Sequence, residues 1–363
     1  MNKKICIILY SLKMGGVERS FVNLARELVK LGHEVDFVIG ERNISPLEDD
    51  VRSFCQLIVI SPNSKILFAI GIFYYIAKHK PTHILSAFSD INFLVVCASR
   101  LLPFNFNTTT THHTPLCQPS QGKGLIFKAK LNLMVTLMKW YAPRCNNVVA
   151  VSNGLAYEIN QITKLAPERI SVIHNPVIIT QSKLHHQTKE NRTPFTIIFV
   201  GRLSTEKRVD NLLSAFHQFS ERVDSKLTII GDGPQRRSLR EQAINIRSDI
   251  AFLGFIHDPS PYIMSSDVLV LPSDFEGFGN VLIEAMACGT QVIATDCPYG
   301  PNEILEGGAL GQLVQRNNVD ELAKALFKAH KKLFWVQPEL LIKKSTQYTA
   351  IISANKYSKL LQL

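Results

Sequence analysis

Short apolar runs alternate with amphipathic stretches twice over along this chain, and the conspicuous glycine and charge clusters stand where such runs end. Residues 3–10 form one run. It leads into Gly15-Gly16, then the amphipathic stretch 20–31 and a second apolar run at 34–39. Strand, glycine loop, helix, strand is the opening of a parallel sheet, because parallel neighbours need a crossover long enough for a helix. The pattern continues with a strand at 81–86, a helix at 92–102, a Thr-rich strand at 107–111, a helix at 125–140 and a strand at 147–151.

A second series follows the polar stretch 180–194. It predicts strands at 195–200, 226–230, 251–253, 268–271 and 291–294, with helices at 209–220, 235–244 and 281–288. A final helix-like run, 349–361, has no strand after it and is free to pack anywhere, including back across the first domain. The fold class is therefore α/β. Its domains are expected at 1–178 and 179–345, with 346–363 as a terminal helix. Two parallel sheets present carboxyl-end crevices where ligands bind, and a cleft between such domains is the default active site.

Composition fits a packed globular protein: 363 residues, 46% hydrophobic and 19% charged. The longest uninterrupted apolar stretch, 66–77, is well short of the ~18–20 residues that span a bilayer. Two lysines precede the apolar run 5–10, which is shorter than a signal-peptide core and meets Ser11 and Lys13 without a cleavage site. A cytosolic location is expected. The seven cysteines are scattered and never spaced as C-x-x-C, the pattern of reduced thiols. His112, His113 and Cys117 have no second cluster to complete a metal site, so no metal is expected.

Charge is uneven. Residues 1–177 hold 19 Lys and Arg against 11 Asp and Glu, whereas the remainder hold 21 against 19. Between 60 and 145 nine bases (Lys65, Lys78, Lys80, Arg100, Lys123, Lys128, Lys130, Lys139, Arg144) face a single acid, Asp90. The same segment contains the apolar stretches 66–77 and 125–141. Bases beside aliphatic and aromatic residues suit a helix lying on an anionic membrane, and equally a core helix with solvated lysines. No zinc-finger spacing, helix-turn-helix pattern or RNP-like strand accompanies the charge, so nucleic acid is not the expected partner.

The chemistry sits at strand ends. Gly15-Gly16 can bring helix amides close to an anion, or simply make a turn. Arg202 and Lys207 suit a diphosphate, the first as a fork and the second as a point charge, although charged loops are also commonly just solvated. Gly231-Asp-Gly233 suggests a nicotinamide fingerprint, but Arg236 stands where its third glycine belongs. The richest segment runs from Asp274 to Glu284. Glu276 lies in the loop, Gly277 and Gly279 free the backbone, Asn280 can cap the next helix, and Glu284 falls about one turn inside it. That carboxylate is placed to accept from paired ribose hydroxyls. Two carboxylates could instead mark a glycosidase, yet the glycine-rich helix start between them favours a phosphate ligand.

The Glu276-x7-Glu284 spacing, with Gly15-Gly16-Val-Glu18-Arg19, Gly201-Arg202-Leu…Glu206-Lys207, Gly231-Asp-Gly-Pro234 and Ala285-Met-Ala-Cys-Gly289, resembles glycosyltransferase family 4, the retaining enzymes of GT-B fold. The similarity runs from about residue 3 to about 310. Cys297-Pro-Tyr-Gly-Pro-Asn-Glu303 looks like the subgroup that builds bacterial cell-surface glycans, including N-acetylgalactosaminyl transferases acting on polyprenyl-diphosphate-linked sugars.

This resemblance implies two Rossmann-like domains, the first for the acceptor and the second for the nucleotide sugar. Arg202 and Lys207 would bind the donor diphosphate, Glu284 the ribose, and Glu276 with the backbone from Gly277 through Phe278, Gly279 and Asn280 to Val281 the transferred sugar. Gly15 and Gly16 would lie near the donor phosphate, and Gly254, Phe255 and Ile256 beside the base. His113 matches the histidine at the reacting sugar, with His112 one residue away as the other choice. No metal or cofactor is implied. The expected reaction is sugar transfer with retention from a nucleotide donor, UDP-hexose or UDP-N-acetylhexosamine favoured over GDP-mannose, to a lipid-linked or polysaccharide acceptor. The expected location is peripheral, on the cytosolic face of the inner membrane, where anionic lipid is also a partner. A basic scaffold that binds lipid or nucleic acid without turnover is the competing reading.

Overall fold

The computed structural model describes residues 3–13, 15–42, 45–60, 64–116, 125–178, 194–246 and 249–362. Lys123, Cys117 and residues 180–193 of the polar stretch lie outside them. The chain divides into two units, Met1–Ile179 with Tyr348–Leu363, and Thr180–Gln347.

In the first unit the described strands are β1 (Lys4–Leu9), β2 (Glu34–Ile39), β3 (Gln56–Val59), β4 (His83–Ala87), β5 (Asn107–His112), β6 (Asn147–Ala150) and β7 (Ile170–Val172). They form one parallel sheet in the order β3-β2-β1-β4-β5-β6-β7. Strands buried on both faces explain the nearly unbroken apolar runs Ile5–Leu9 and Val35–Ile39. One face packs Phe21, Leu24 and Leu28 of the helix Gly16–Lys30. The other packs Phe68, Ile72 and Ile76 of Lys65–His79 together with Ile91 and Val95 of Ser89–Leu101.

The terminal helix Ala350–Leu361 belongs to this unit. Ala354, Tyr357 and Leu361 join the cluster of Phe21 and Leu24. Its entry is pinned where Val177 N donates to Tyr348 O at 3.0 Å and Ala350 N to Ile178 O at 2.8 Å.

The second unit repeats the plan with β8 (Phe195–Val200), β9 (Ser225–Ile230), β10 (Asp249–Gly254), β11 (Val268–Leu271), β12 (Gln291–Thr295) and β13 (Gln312–Val314). The order is β10-β9-β8-β11-β12-β13, again all parallel. Phe199, Leu212, Phe216, Phe219, Val270 and Leu326 centre its core.

Several elements lack a mark in the sequence pattern: the short strands β3, β7 and β13, and the helices Asn153–Thr163, Val319–His330 and Pro338–Ser345. β7 and β13, with three residues each, are too short to show a period. Boundaries also move. The first helix begins at Gly16 rather than 20, and Asn280 does not cap its helix: Gly279, at φ +102°, is the cap and Asn280 is already helical. A left-handed cap suits glycine, which has no Cβ to collide with the following carbonyl.

Candidate functional site

In the second unit the chain leaves β8 toward β9 and β10 on one side, then returns to lay β11, β12 and β13 on the other. The order reverses between β8 and β11, and beyond the carboxyl ends of such a pair an open parallel sheet leaves a crevice. The loops that meet there are 201–208 and 272–280. Asp274 N donates to Glu206 O at 2.8 Å, Arg208 reaches Asp274 Oδ2 at 3.5 Å, and Lys207 Nζ lies 2.5 Å from Glu276 Oε1.

Each side chain is held by its local backbone. Lys207 ends a 3-10 turn opened by Ser204, whose hydroxyl donates to Glu206 Oε1 at 2.5 Å. Arg208 then takes a left-handed conformation, φ +48°, anchored on both oxygens of Asp210. Glu276 is 8% exposed. Its Oε1 also accepts from Ser273 Oγ at 2.6 Å, and its amide donates to Pro298 O at 3.3 Å. A cation and a hydroxyl thus both reach one oxygen of this buried carboxylate.

The turn 297–300 braces the glycine loop from behind. Gly300, at φ +69°, lies so close that a Cβ there would overlap the Phe278 carbonyl. Burial, with Glu276 nearby, pushes the Cys297 thiol up to about 12, so it remains a neutral S–H beside the acid.

Arg202 stands exposed at the end of β8, and its guanidinium has no hydrogen bond or ion pair among the described residues. Asn280, Val281 and Glu284 are half-buried on the first turns of the helix Asn280–Ala287. Two strands from β8, Gly254 ends β10 at φ +75° and is followed by Phe255, half exposed, and by Ile256. Gly231 N donates to Gly254 O at 2.7 Å, while Gly201 N donates to Ile230 O at 3.0 Å, so three strand ends are laced together. Gly231 has φ +137° and a Cβ there would overlap Gly201 O; one at Gly233 would overlap Leu203 O. The two glycines that hint at a dinucleotide fingerprint thus serve the close approach of neighbouring loops.

The first unit reverses its strand order between β1 and β4. Gly15 caps the helix after β1 in extended conformation, φ −97°, its amide donating to Lys13 O at 2.7 Å, and a Cβ there would overlap the Glu18 carboxylate. After β4, Phe88 holds φ +72°, a strained value for a side chain of that size.

The two histidines at the end of β5 part company. His112 is buried with its ring stacked on Tyr141 at 6.1 Å, its Nε2 unpartnered among the described residues. His113 turns to the helix Gly16–Lys30, 5.4 Å from the Phe21 ring. Thr111 Oγ1 donates its proton to Ser86 O, so at 3.0 Å from His113 Nε2 it must accept; neutral His113 is therefore the Nε2–H tautomer. Burial lowers His113 to about 4, and burial beside His113 lowers His112 to about 3. Of the two, His113 shares a face with the helix that Gly16 opens.

Ser273 and Arg208 escape sequence reasoning. Ser273 does carry a signal, three residues before Glu276 and just beyond a strand end. Arg208 has none, since its partner Asp274 lies far along the chain.

The basic segment is partly legible. On Lys65–His79, Ile66, Ile70 and Tyr74 are exposed along one stripe that ends at Lys78. On Leu125–Tyr141, Ile126, Leu133 and Trp140 are exposed among Lys128, Lys130 and Lys139. No helix among the described residues is long and apolar enough to cross a membrane.

Two family models tile the chain: Glycosyltransferase Family 4 matches residues 14–181, and Glycosyl transferases group 1 matches 194–332. An uncharacterized glycosyltransferase of Haemophilus influenzae is 26% identical over 86% of both chains. The N-acetylgalactosamine-N,N'-diacetylbacillosaminyl-diphospho-undecaprenol 4-alpha-N-acetylgalactosaminyltransferase of Campylobacter jejuni is 25% identical over 89% of both. Among solved structures, Anabaena HepE in complex with UDP-glucose superposes with a TM-score of 0.80 at 19% identity, over 99% of each chain.

Proposed function

Since this chain is a glycosyltransferase of family 4 with two parallel-sheet domains of GT-B type, we propose that it transfers a sugar, with retention, from a UDP-hexose or UDP-N-acetylhexosamine to a lipid-linked glycan. The observation that carries this reading is the order of groups along the carboxyl edge of the second sheet. Gly254–Ile256 at β10, Arg202 and Lys207 after β8, and Glu276 with the glycine loop after β11 follow one another across neighbouring strands. A nucleotide sugar has the same order: base, diphosphate, sugar.

On this reading Arg202, unpaired among the described residues, meets the diphosphate first, and Lys207 exchanges Glu276 for a phosphate oxygen. Glu276 is thereby released to a sugar hydroxyl while Ser273 keeps it aimed. Glu284 accepts from the ribose. As the glycosidic bond breaks, charge builds on the departing diphosphate, and the fixed cations stabilise it most in the transition state. The acceptor hydroxyl attacks from the face the diphosphate leaves, which preserves configuration. Gly16 and His113 take the roles toward donor phosphate and sugar that the resemblance implies, with His113 acting as a neutral contact rather than a base.

The acceptor reading is supported by the Campylobacter relative, whose name specifies a diphospho-undecaprenol substrate. The exposed apolar and basic stripes of the first unit support attachment to the cytosolic face of an anionic membrane.

Thermal shift with free nucleotides tests the donor. UDP at about 100 times its Kd should add about 2.7 kcal/mol of stability. A response to GDP alone moves the donor to GDP-mannose. Stabilisation by NAD alone, or by polyanions alone, sinks the transferase reading in favour of a dehydrogenase or a scaffold.

A further inference from the structure

At the opposite, amino-terminal edge of the first sheet lies a cavity of about 850 Å3, lined by residues at the starts of β1, β4, β5 and β6. It is far along the strands from Gly16 and His113, which stand at the carboxyl edge. Its walls bring together Lys3, Arg100 and Arg144 with the carboxamides Asn105, Asn107 and Asn146. No carboxylate lines it among the described residues.

None of the three cations is neutralised by a described residue. Lys3 Nζ donates to the Gln362 carbonyl, Arg100 Nη2 to Arg144 O at 3.1 Å, and Arg144 Nη1 to Trp140 O at 2.6 Å. Carbonyls take a hydrogen bond but return no charge. Each guanidinium has five N–H donors and spends one on its carbonyl, which leaves others for a ligand. His83 forms part of the floor, 3% exposed, and its proton affinity is lowered by burial first and by Lys3 second, the response expected in a positive field.

We propose that this cavity is a second ligand site that binds a phosphate-bearing anion, a diphosphate or the phosphomonoester headgroup of a lipid. Like cations gathered around carboxamides repel one another until an anion enters, so occupancy relieves repulsion as well as forming charge-assisted bonds. Two guanidiniums give the fork geometry that phosphate oxygens accept. The site is independent of the donor assignment, which rests on the second unit.

Trp140 is a local reporter, since the Arg144 guanidinium lies 4.7 Å from its ring centroid. The chain has two tryptophans, so Trp335→Phe leaves Trp140 as the only one. In this variant, at low salt, inorganic pyrophosphate should change Trp140 emission saturably. Arg100→Glu with Lys3→Glu should weaken the pyrophosphate response at least tenfold; Arg100→Gln with Lys3→Gln should weaken it less, with the circular dichroism of the parent retained. Vesicles of phosphatidic acid in phosphatidylcholine, compared with phosphatidylcholine alone, decide the source: a matching response to the first only assigns the headgroup, and a response to pyrophosphate only assigns a soluble anion. Unchanged emission with both probes overturns the site, as does a response that survives both double variants.

Discussion

Lys207 Nζ and Glu276 Oε1 stand 2.5 Å apart across the point where the second sheet reverses its strand order, and Ser273 Oγ shares that oxygen at 2.6 Å. The pair joins residues 69 positions apart in sequence. In the free protein each charge serves as the other's counter-ion, so donor binding replaces one set of charge-assisted contacts with another instead of desolvating bare charges.

The two cations should differ when removed. Arg202→Ala and Lys207→Ala should each lower turnover by about 2–3 kcal/mol of transition-state stabilisation, as for one preorganised donor. Only Lys207→Ala should also destabilise the fold, by about 1–3 kcal/mol, since it strands a buried carboxylate. Steady-state kinetics and urea unfolding of both variants check this; equal stability losses would mean that the ion pair is not what holds Glu276.

The carboxylates should separate by readout. Glu284→Gln should weaken nucleotide diphosphate binding, whereas Glu276→Gln should leave that affinity unchanged or higher, by freeing Lys207, and cut transfer. Ser273→Ala should lower transfer without moving nucleotide affinity. Calorimetry beside activity measurements checks the ordering, and the reverse pattern exchanges the two roles.

Glycine substitutions should grade with space. Gly32 has φ +88° and open space for 4 Å around the place a Cβ would take, so Gly32→Ala should cost about 1 kcal/mol for backbone strain alone. Gly231→Ala adds overlap with Gly201 O and should cost well over twice as much. Similar melting temperatures for the two variants would show that the loops after β8 and β9 yield easily.

Acid should destabilise the first unit through its histidines. His112 and His113 have their proton affinity lowered to about 3 and about 4, against about 6.5 in the unfolded chain. Between those values the unfolded chain binds protons that the folded chain does not, so stability is full above about pH 6.5 and falls as pH drops toward 4. Each ring contributes up to about 1.4 kcal/mol per pH unit. His112→Phe, which keeps the ring on Tyr141, should flatten that slope by about one proton. Denaturant unfolding from pH 7 to 4.5 measures it; an unaltered slope would place the titration elsewhere.

Membrane attachment should follow the exposed bases. Lys128→Glu with Lys130→Glu should sharply reduce co-sedimentation with anionic vesicles, hardly affect neutral ones and leave nucleotide affinity intact. If the variant sediments like the parent on anionic vesicles, these lysines are a solvated face and the stripe Ile66–Ile70–Tyr74 becomes the surface to test.

The sequence by itself determined the α/β class and much of the second unit. β8, β11 and the helix Val209–Ser220 have the bounds that the apolar pattern predicts, because buried parallel strands and amphipathic helices are local patterns. It also marked the motifs of the glycosyltransferase family. It could not show which groups meet. Strand order is a long-range outcome of crossover packing, and only that order puts loop 201–208 beside loop 272–280, with Lys207 on Glu276 and Arg208 on Asp274. The same holds for His112 and His113, adjacent in the chain: the pleat carries one to Tyr141, and the strand's end turns the other toward Phe21. Likewise, Lys3, Arg100 and Arg144 read as scattered surface charge until the sheet gathers the strand starts into one wall.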